Sequence, residues 1–132
     1  MTERIQKELE LLKSKYLDLV FIEEGMWVKI PDYPVPPGWN RKKTDIVFQI
    51  PVQYPGGNPY AFFVISGMQY NGTKPVNNYT EPSDVKPDFE GNWGKFSWLP
   101  DDGEWRPTAD IHSGSNLYNW VEGFRIRFKE GL

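Results

Sequence analysis

Asp45-Ile46-Val47-Phe48-Gln49-Ile50, closed by Pro51, is the stretch from which the fold is read. Ile46, Phe48 and Ile50 fall on one side of an extended chain, the alternation of a strand with one face on a core. Pro51 has no N–H for a ladder and ends the strand. Upstream, residues 19–30 are rich in β-formers, and Glu23-Glu24-Gly25 in their middle predicts a hairpin turn. Residues 31–43, with four prolines and the basic run Arg41-Lys42-Lys43, predict a loop. Downstream, Tyr54-Pro55-Gly56-Gly57-Asn58-Pro59 reads as an irregular turn, and residues 60–66 as another apolar strand.

Helical periodicity brackets these strands. Ile5, Leu9, Leu12 and Tyr16 share one face of a helix over 3–16, with Thr2 as N-cap and Glu3 four residues before Lys7. Leu117, Trp120, Val121, Phe124 and Phe128 predict a second helix, capped by Ser113 or Ser115 and weakened by Gly123 by about 1 kcal/mol relative to Ala. Between them, residues 67–95 are rich in Gly, Pro and Asn, and a segment of that length without periodicity tends to be functional or mobile. The order predicts an α+β fold: an N-terminal helix, an antiparallel meander of three or four strands, a long loop and a second helix, with the helices on one side of the sheet.

The 132 residues fit a single domain spanning 1–132, in which roughly two-thirds of the unfolded chain's surface can be buried. A net charge of −3 with interspersed signs argues against nucleic acid as partner. No apolar run reaches bilayer length and the start lacks a signal-peptide centre, so a cytoplasmic protein without a membrane partner is expected. With no cysteine and one histidine, disulfides, thiolate or multi-histidine metal sites and thiol catalysis are excluded; no metal and no cofactor is expected. Six Trp, seven Tyr and eight Phe read as core bulk. The alternative is an aromatic platform of Trp39, Trp93 and Trp98 for a sugar or peptide.

Three blocks carry a resemblance. Arg4-Ile5-Gln6-Lys7-Glu8-Leu9 opens the first helix. Pro51, Tyr54-Pro55, Pro59 and Phe63 follow the spacing P-x-x-Y-P-x-x-x-P-x-x-x-F. Gly94-Lys95-Phe96-Ser97 is followed, eight residues after Ser97, by Trp105-Arg106-Pro107. In this order the blocks resemble the core of ubiquitin-conjugating enzymes, whose catalytic cysteine stands where this chain has Ser97. The short form is similar to the prokaryotic branch of that superfamily, encoded beside a ubiquitin-like protein, an activating enzyme and a metal-dependent deconjugating peptidase. The family's His-Pro-Asn motif is not recovered. Lys86-Pro87-Asp88-Phe89 keeps only the Pro, after a one-residue slip, and Asn92 is either the substitute for the missing amide or a residue of a Gly-rich turn.

The resemblance implies a carrier that accepts the C-terminus of a ubiquitin-like protein from an activating (adenylating) enzyme and passes it to an amine of a target protein. A serine hydroxyl is a poorer nucleophile and leaving group than a thiolate. Ser97 is therefore an oxyester-forming nucleophile, a natural loss in a non-catalytic binding variant, or a cysteine replaced artificially. His112 is a candidate general base and otherwise an exposed residue before a helix. Asp101 and Asp102 could orient an attacking amine and otherwise form a solvated turn. By resemblance, Arg4, Lys7 and Lys13 would meet the activating enzyme, or form a solvated face. Pro55, Pro59, Trp105 and Pro107 resemble the ligase-binding edge.

The helix periodicity is directly testable. Leu9→Asp, which buries an unpaired charge, is expected to be severely destabilising. A melting temperature within about a degree or two of the parent's would remove the core assignment.

Overall fold

The structure, a computed structural model, describes residues 1–99 and 105–132. Its elements in chain order are α1 (Glu3–Lys15), β1 (Val20–Ile22), β2 (Trp27–Pro34), β3 (Lys43–Gln49), β4 (Phe62–Ile65), β5 (Tyr79–Thr80), β6 (Trp93–Phe96) and α2 (Leu117–Glu130). One antiparallel sheet runs in the order β1-β2-β3-β4-β6-β5. Both helices pack on one face of it. Ile5, Leu9 and Leu12 of α1 and Trp120, Val121, Phe124 and Phe128 of α2 share a core with Val28, Ile30, Ile46, Phe48, Phe62, Val64 and Phe96 of the strands. Phe62 stacks on Phe124 at 4.2 Å between ring centroids.

Two segments expected to be loops carry strands. β2 runs on to Pro34 because a bulge between Ile30 and Tyr33 places Pro31 and Asp32 opposite the single Asp45. The extra residue resets the alternation, so buried Tyr33 follows Ile30 on the core face and donates its hydroxyl to the Val121 carbonyl at 2.7 Å. A bulge also tolerates the missing N–H of Pro31. Farther on, residues 67–95 contain β5 and all but the last residue of β6. Their pairing partners are distant in sequence, which local periodicity does not reveal.

The outer face of the sheet is also apolar: Trp27, Val47, Phe63 and Trp93 form a second buried cluster with Phe89 packed against it. Residues 81–92 cross this face. The Ser83 N–H donates to the Trp93 carbonyl, Trp93 Nε1 donates to Phe89 O at 3.2 Å, and Asp84 pairs with Lys95 at 2.7 Å. Lys86-Pro87-Asp88-Phe89 belongs to this crossing.

Caps fix the helix ends. Thr2 Oγ1 accepts the Ile5 N–H at 3.2 Å. α2 is capped by Asn116, whose Oδ1 accepts the Asn119 N–H at 2.7 Å, and not by Ser113 or Ser115. Ser115 Oγ instead accepts the Arg106 N–H, and Ser113 pairs with Thr108, so both close the preceding turn. Glu8 of α1 completes the α2 start. This carboxylate is 1% exposed; it accepts the Leu117 N–H at 2.7 Å, the Tyr54 hydroxyl at 2.5 Å and Arg4 Nε at 2.8 Å. Burial, and then the carboxylate it donates to, pushes the Tyr54 hydroxyl far above its ordinary pKa.

Glu8→Ala would leave the largely buried Arg4 without its counter-charge, and two further donors without an acceptor. The expected loss is about 3–5 kcal/mol in urea unfolding. Glu8→Gln should lose less, because its amide oxygen still accepts from Tyr54 and Leu117. Equal losses in the two variants would show that the hydrogen bonds are immaterial.

Candidate functional site

Ser97 follows β6 directly, on the strand between β4 and the edge strand β5. Its N–H donates to the Asn78 carbonyl at 2.8 Å, one step beyond the Tyr79–Phe96 pair of the β5–β6 ladder. The flanking residues are locked. Phe96 is buried among Phe62, Tyr79 and Phe128. Trp98 is buried against Trp120, at 5.6 Å between centroids, and its carbonyl accepts the Ala61 N–H. The Trp98 ring packs closely over Gly123: a Cβ at that position would lie 3.1 Å from it, a tight contact that the ring would have to relax to accommodate.

Gly94, three residues before Ser97, has a local reason. The Tyr79 ring lies across β6, and a Cβ on Gly94 would come within 2.1 Å of the Tyr79 hydroxyl oxygen. That hydroxyl donates to Glu81 Oε1 at 2.6 Å, and the same oxygen accepts the Gly67 N–H at 2.8 Å. Although burial opposes it, these two donors hold the Glu81 carboxyl below its usual range. The Tyr79 hydroxyl is raised, by burial first and then by Glu81.

Ser97 is partly exposed, and among the described residues no side chain hydrogen-bonds its hydroxyl. The other sequence candidates are dispersed. Asn92 is exposed at the opposite end of β6, five residues and roughly 16 Å from Ser97, so its amide does not reach the Ser97 hydroxyl. Its carbonyl accepts the Ser66 N–H. His112 is exposed in the turn before α2, its N–H donating to Asp110 Oδ1 at 2.9 Å, and no contact joins it to Ser97. That turn is held to α1 by Arg4, which donates to the Thr108 carbonyl. Asp101 and Asp102 lie outside the described residues.

The residue brought to Ser97 that sequence reasoning missed is Asn78. It is exposed, with φ 54°, in the left-handed region that Asn tolerates better than most side chains. Nineteen positions upstream, it sits where no motif spacing points; only the β5–β6 pairing brings it there.

The partner-facing candidates divide. Arg4 is not on an exposed face: its side chain is spent on Glu8 and Thr108. Lys7 is 59% exposed and paired with Glu3 at 3.1 Å, and Lys13 is exposed. Pro55 and Trp105 do meet. Trp105 Nε1 donates to the Pro55 carbonyl at 2.8 Å and its ring packs on Tyr54. Pro59 is buried, and Pro107 pairs with Gly114 in an isolated bridge. The aromatic-platform alternative fails, because Trp39, Trp93 and Trp98 are only 8%, 5% and 7% exposed. Trp39 is further tied down by its Nε1 bond to Phe128 O.

An N-terminal helix, a meandering antiparallel sheet extended by a returning strand, and a second helix on the same face define an α+β domain with the core of an E2, a ubiquitin-conjugating-type protein. The model of the prokaryotic E2 family E matches residues 5–120, and the chain belongs to that family. Membership gives it an E2-like role associated with protein conjugation. No curated protein and no solved structure matches it. Among the described residues no helix is long and apolar enough to cross a membrane.

The close approach of Tyr79 to β6 makes a signed prediction. In an ordinary strand Gly→Ala stabilises by about 0.5–1 kcal/mol. Gly94→Ala should instead destabilise by about 1–3 kcal/mol, through overpacking. In a Tyr79→Ala background the penalty should vanish. The same penalty in both backgrounds, measured as a double-mutant cycle by denaturant unfolding, would contradict the steric account.

Proposed function

We propose that the chain is a conjugating-enzyme-like carrier in a bacterial ubiquitin-like pathway, with Ser97 as the acyl acceptor. The Ser97 hydroxyl would attack the C-terminal carbonyl of the ubiquitin-like protein held as a thioester on its activating enzyme. The ester C–O bond forms as the C–S bond breaks, and the hydroxyl proton leaves with the departing thiol. A target amine then attacks the ester and releases Ser97. The observation that carries this reading is the pinning of partly exposed Ser97 between two buried aromatic residues, with the Asn78 carbonyl on its N–H, in a member of the E2 family. A rigid mount is what an acyl acceptor needs for an aligned approach. By the same reading, the Asn78 amide replaces the one lost from the His-Pro-Asn position and stabilises the oxyanion. Lys7 and Lys13 offer the activating enzyme exposed cations, while Pro55 and Trp105 form one edge for a further partner.

A second reading is a binding variant that carries no acyl group, in keeping with a serine hydroxyl being a poorer nucleophile than a thiolate. Intact-mass measurement after incubation with a ubiquitin-like protein, its activating enzyme and ATP separates the two. An oxyester should survive thiol reductant, be cleaved by hydroxide and vanish in Ser97→Ala. Asn78→Ala should slow its formation by about 10²-fold, the range for one oxyanion donor. Ser97→Cys should load as a reductant-sensitive thioester; fast transfer from it to lysine would mark the serine as a replaced cysteine. No adduct in any variant leaves the binding variant, and an adduct persisting in Ser97→Ala places the chemistry elsewhere.

A further inference from the structure

Arg127, on the last turn of α2, is the largest charged side chain buried among the described residues, 1% exposed. A basic residue at a helix C-terminus ordinarily reaches the last carbonyls from solvent. Burying a guanidinium costs several kcal/mol before any bond is made. An apolar side chain would fill the same volume without that cost, so its contacts are the informative feature.

Those contacts converge on the Ser97 mount. Nη1 donates to the Gly131 carbonyl at 2.9 Å, which closes the helix end. Nη2 donates at 2.7 Å to the carbonyl of Asn77, the residue before Asn78. The guanidinium lies 4.4 Å from the ring centroid of Phe96, the residue before Ser97. One planar group thus grips both chains that meet at the Ser97 N–H to Asn78 carbonyl bond. The grip is reinforced from the far side, where the Val76 and Asn77 N–H groups donate to the Leu132 carbonyl at 3.2 and 2.8 Å. The arrangement also answers a local need. Asn78 holds a left-handed backbone, which Asn adopts more readily than most side chains but which its surroundings still have to hold in place. Glu130, 3.7 Å from Nε, is the counter-charge and is half in solvent.

We propose that Arg127 is a positioning residue for the acyl-acceptor site: it sets the alignment of Asn78 against Ser97 from a helix turn beyond the segment that the family model covers. The proposal rests on the reading of Ser97 as acceptor, and its test is built to fail separately from that reading. The planar fork is the operative feature. A lysine keeps the charge but cannot bond Gly131 and Asn77 in one plane while lying flat on Phe96.

The test uses the full chain with Arg127→Met and Arg127→Lys, each first checked for cooperative unfolding. Amide hydrogen exchange is the readout that needs no activity. In both variants the Ser97 N–H should exchange at least about tenfold faster than in the parent, while amides of β2 and β3 change only by the shift in global stability. With a ubiquitin-like protein and a charged activating enzyme, the adduct rate at saturation should fall at least about tenfold, with half-saturation unchanged. Arg127→Lys should sit between Arg127→Met and the parent. If Arg127→Met does not fold, Arg127→Lys alone gives both readouts. A Ser97 amide protected as in the parent would overturn the proposal. So would a loss of protection spread evenly over the core, which is the mark of a purely structural side chain. If the parent forms no adduct, the acceptor reading falls, while selective loss of Ser97 protection still assigns the grip to Arg127.

Discussion

A buried carboxylate holds the two helices to each other and to the connection between β3 and β4. Glu8 lies on the apolar face of α1, one position before Leu9, and takes three donors from three places: Arg4 one turn back, Tyr54 after β3, and the first amide of α2. Such a group is costly to bury and stable only when every partner is present. Its value is geometric. The start of α2 is satisfied by Glu8 on α1 as well as by its own cap, so the helix cannot slide along the sheet without orphaning an amide. Everything α2 later positions, from Trp120 to Arg127, inherits that register.

What α2 positions is the back wall of the Ser97 segment. Trp98 lies against Trp120 and over the bare backbone of Gly123, and Phe96 lies against Phe128 and Arg127. Side chains alternate along an extended chain, so Phe96 and Trp98, two residues apart, both point into the core and Ser97 between them does not. The serine is left facing outward from a rigid mount. Two glycines accommodate rings at this mount, Gly123 under Trp98 and Gly94 under Tyr79.

The aromatic richness is thereby explained without a ligand. Both faces of the sheet carry buried aromatics, the inner one against the helices and the outer one beneath residues 81–92. In a chain with many prolines and glycines, few residues remain to build a core, and large rings fill it with the fewest side chains. The crossing of the outer face also contains Lys86-Pro87-Asp88-Phe89. That stretch packs Phe89 against Trp93 and Lys29 and is not at Ser97.

Periodicity in the sequence determined α1, α2, the first hairpin, β3, β4 and the face of β3 that meets the helices, because each of these is a local repeat of apolar residues. The spacing of Gly94, Ser97 and Trp105 carried a resemblance to the family that the match over residues 5–120 then showed. The sequence could not show that Glu8 is buried, since a glutamate on a helix is ordinarily solvated and its partners lie 46 and 109 positions away. Nor could it place Asn78 beside Ser97, withdraw Arg4 from the surface or separate Asn92 from Ser97. Those are consequences of strand pairing between β5 and β6 and of where buried charges find partners. Tertiary structure alone decided them, because a hydrogen-bond partner is chosen by proximity in space and leaves no period in the chain.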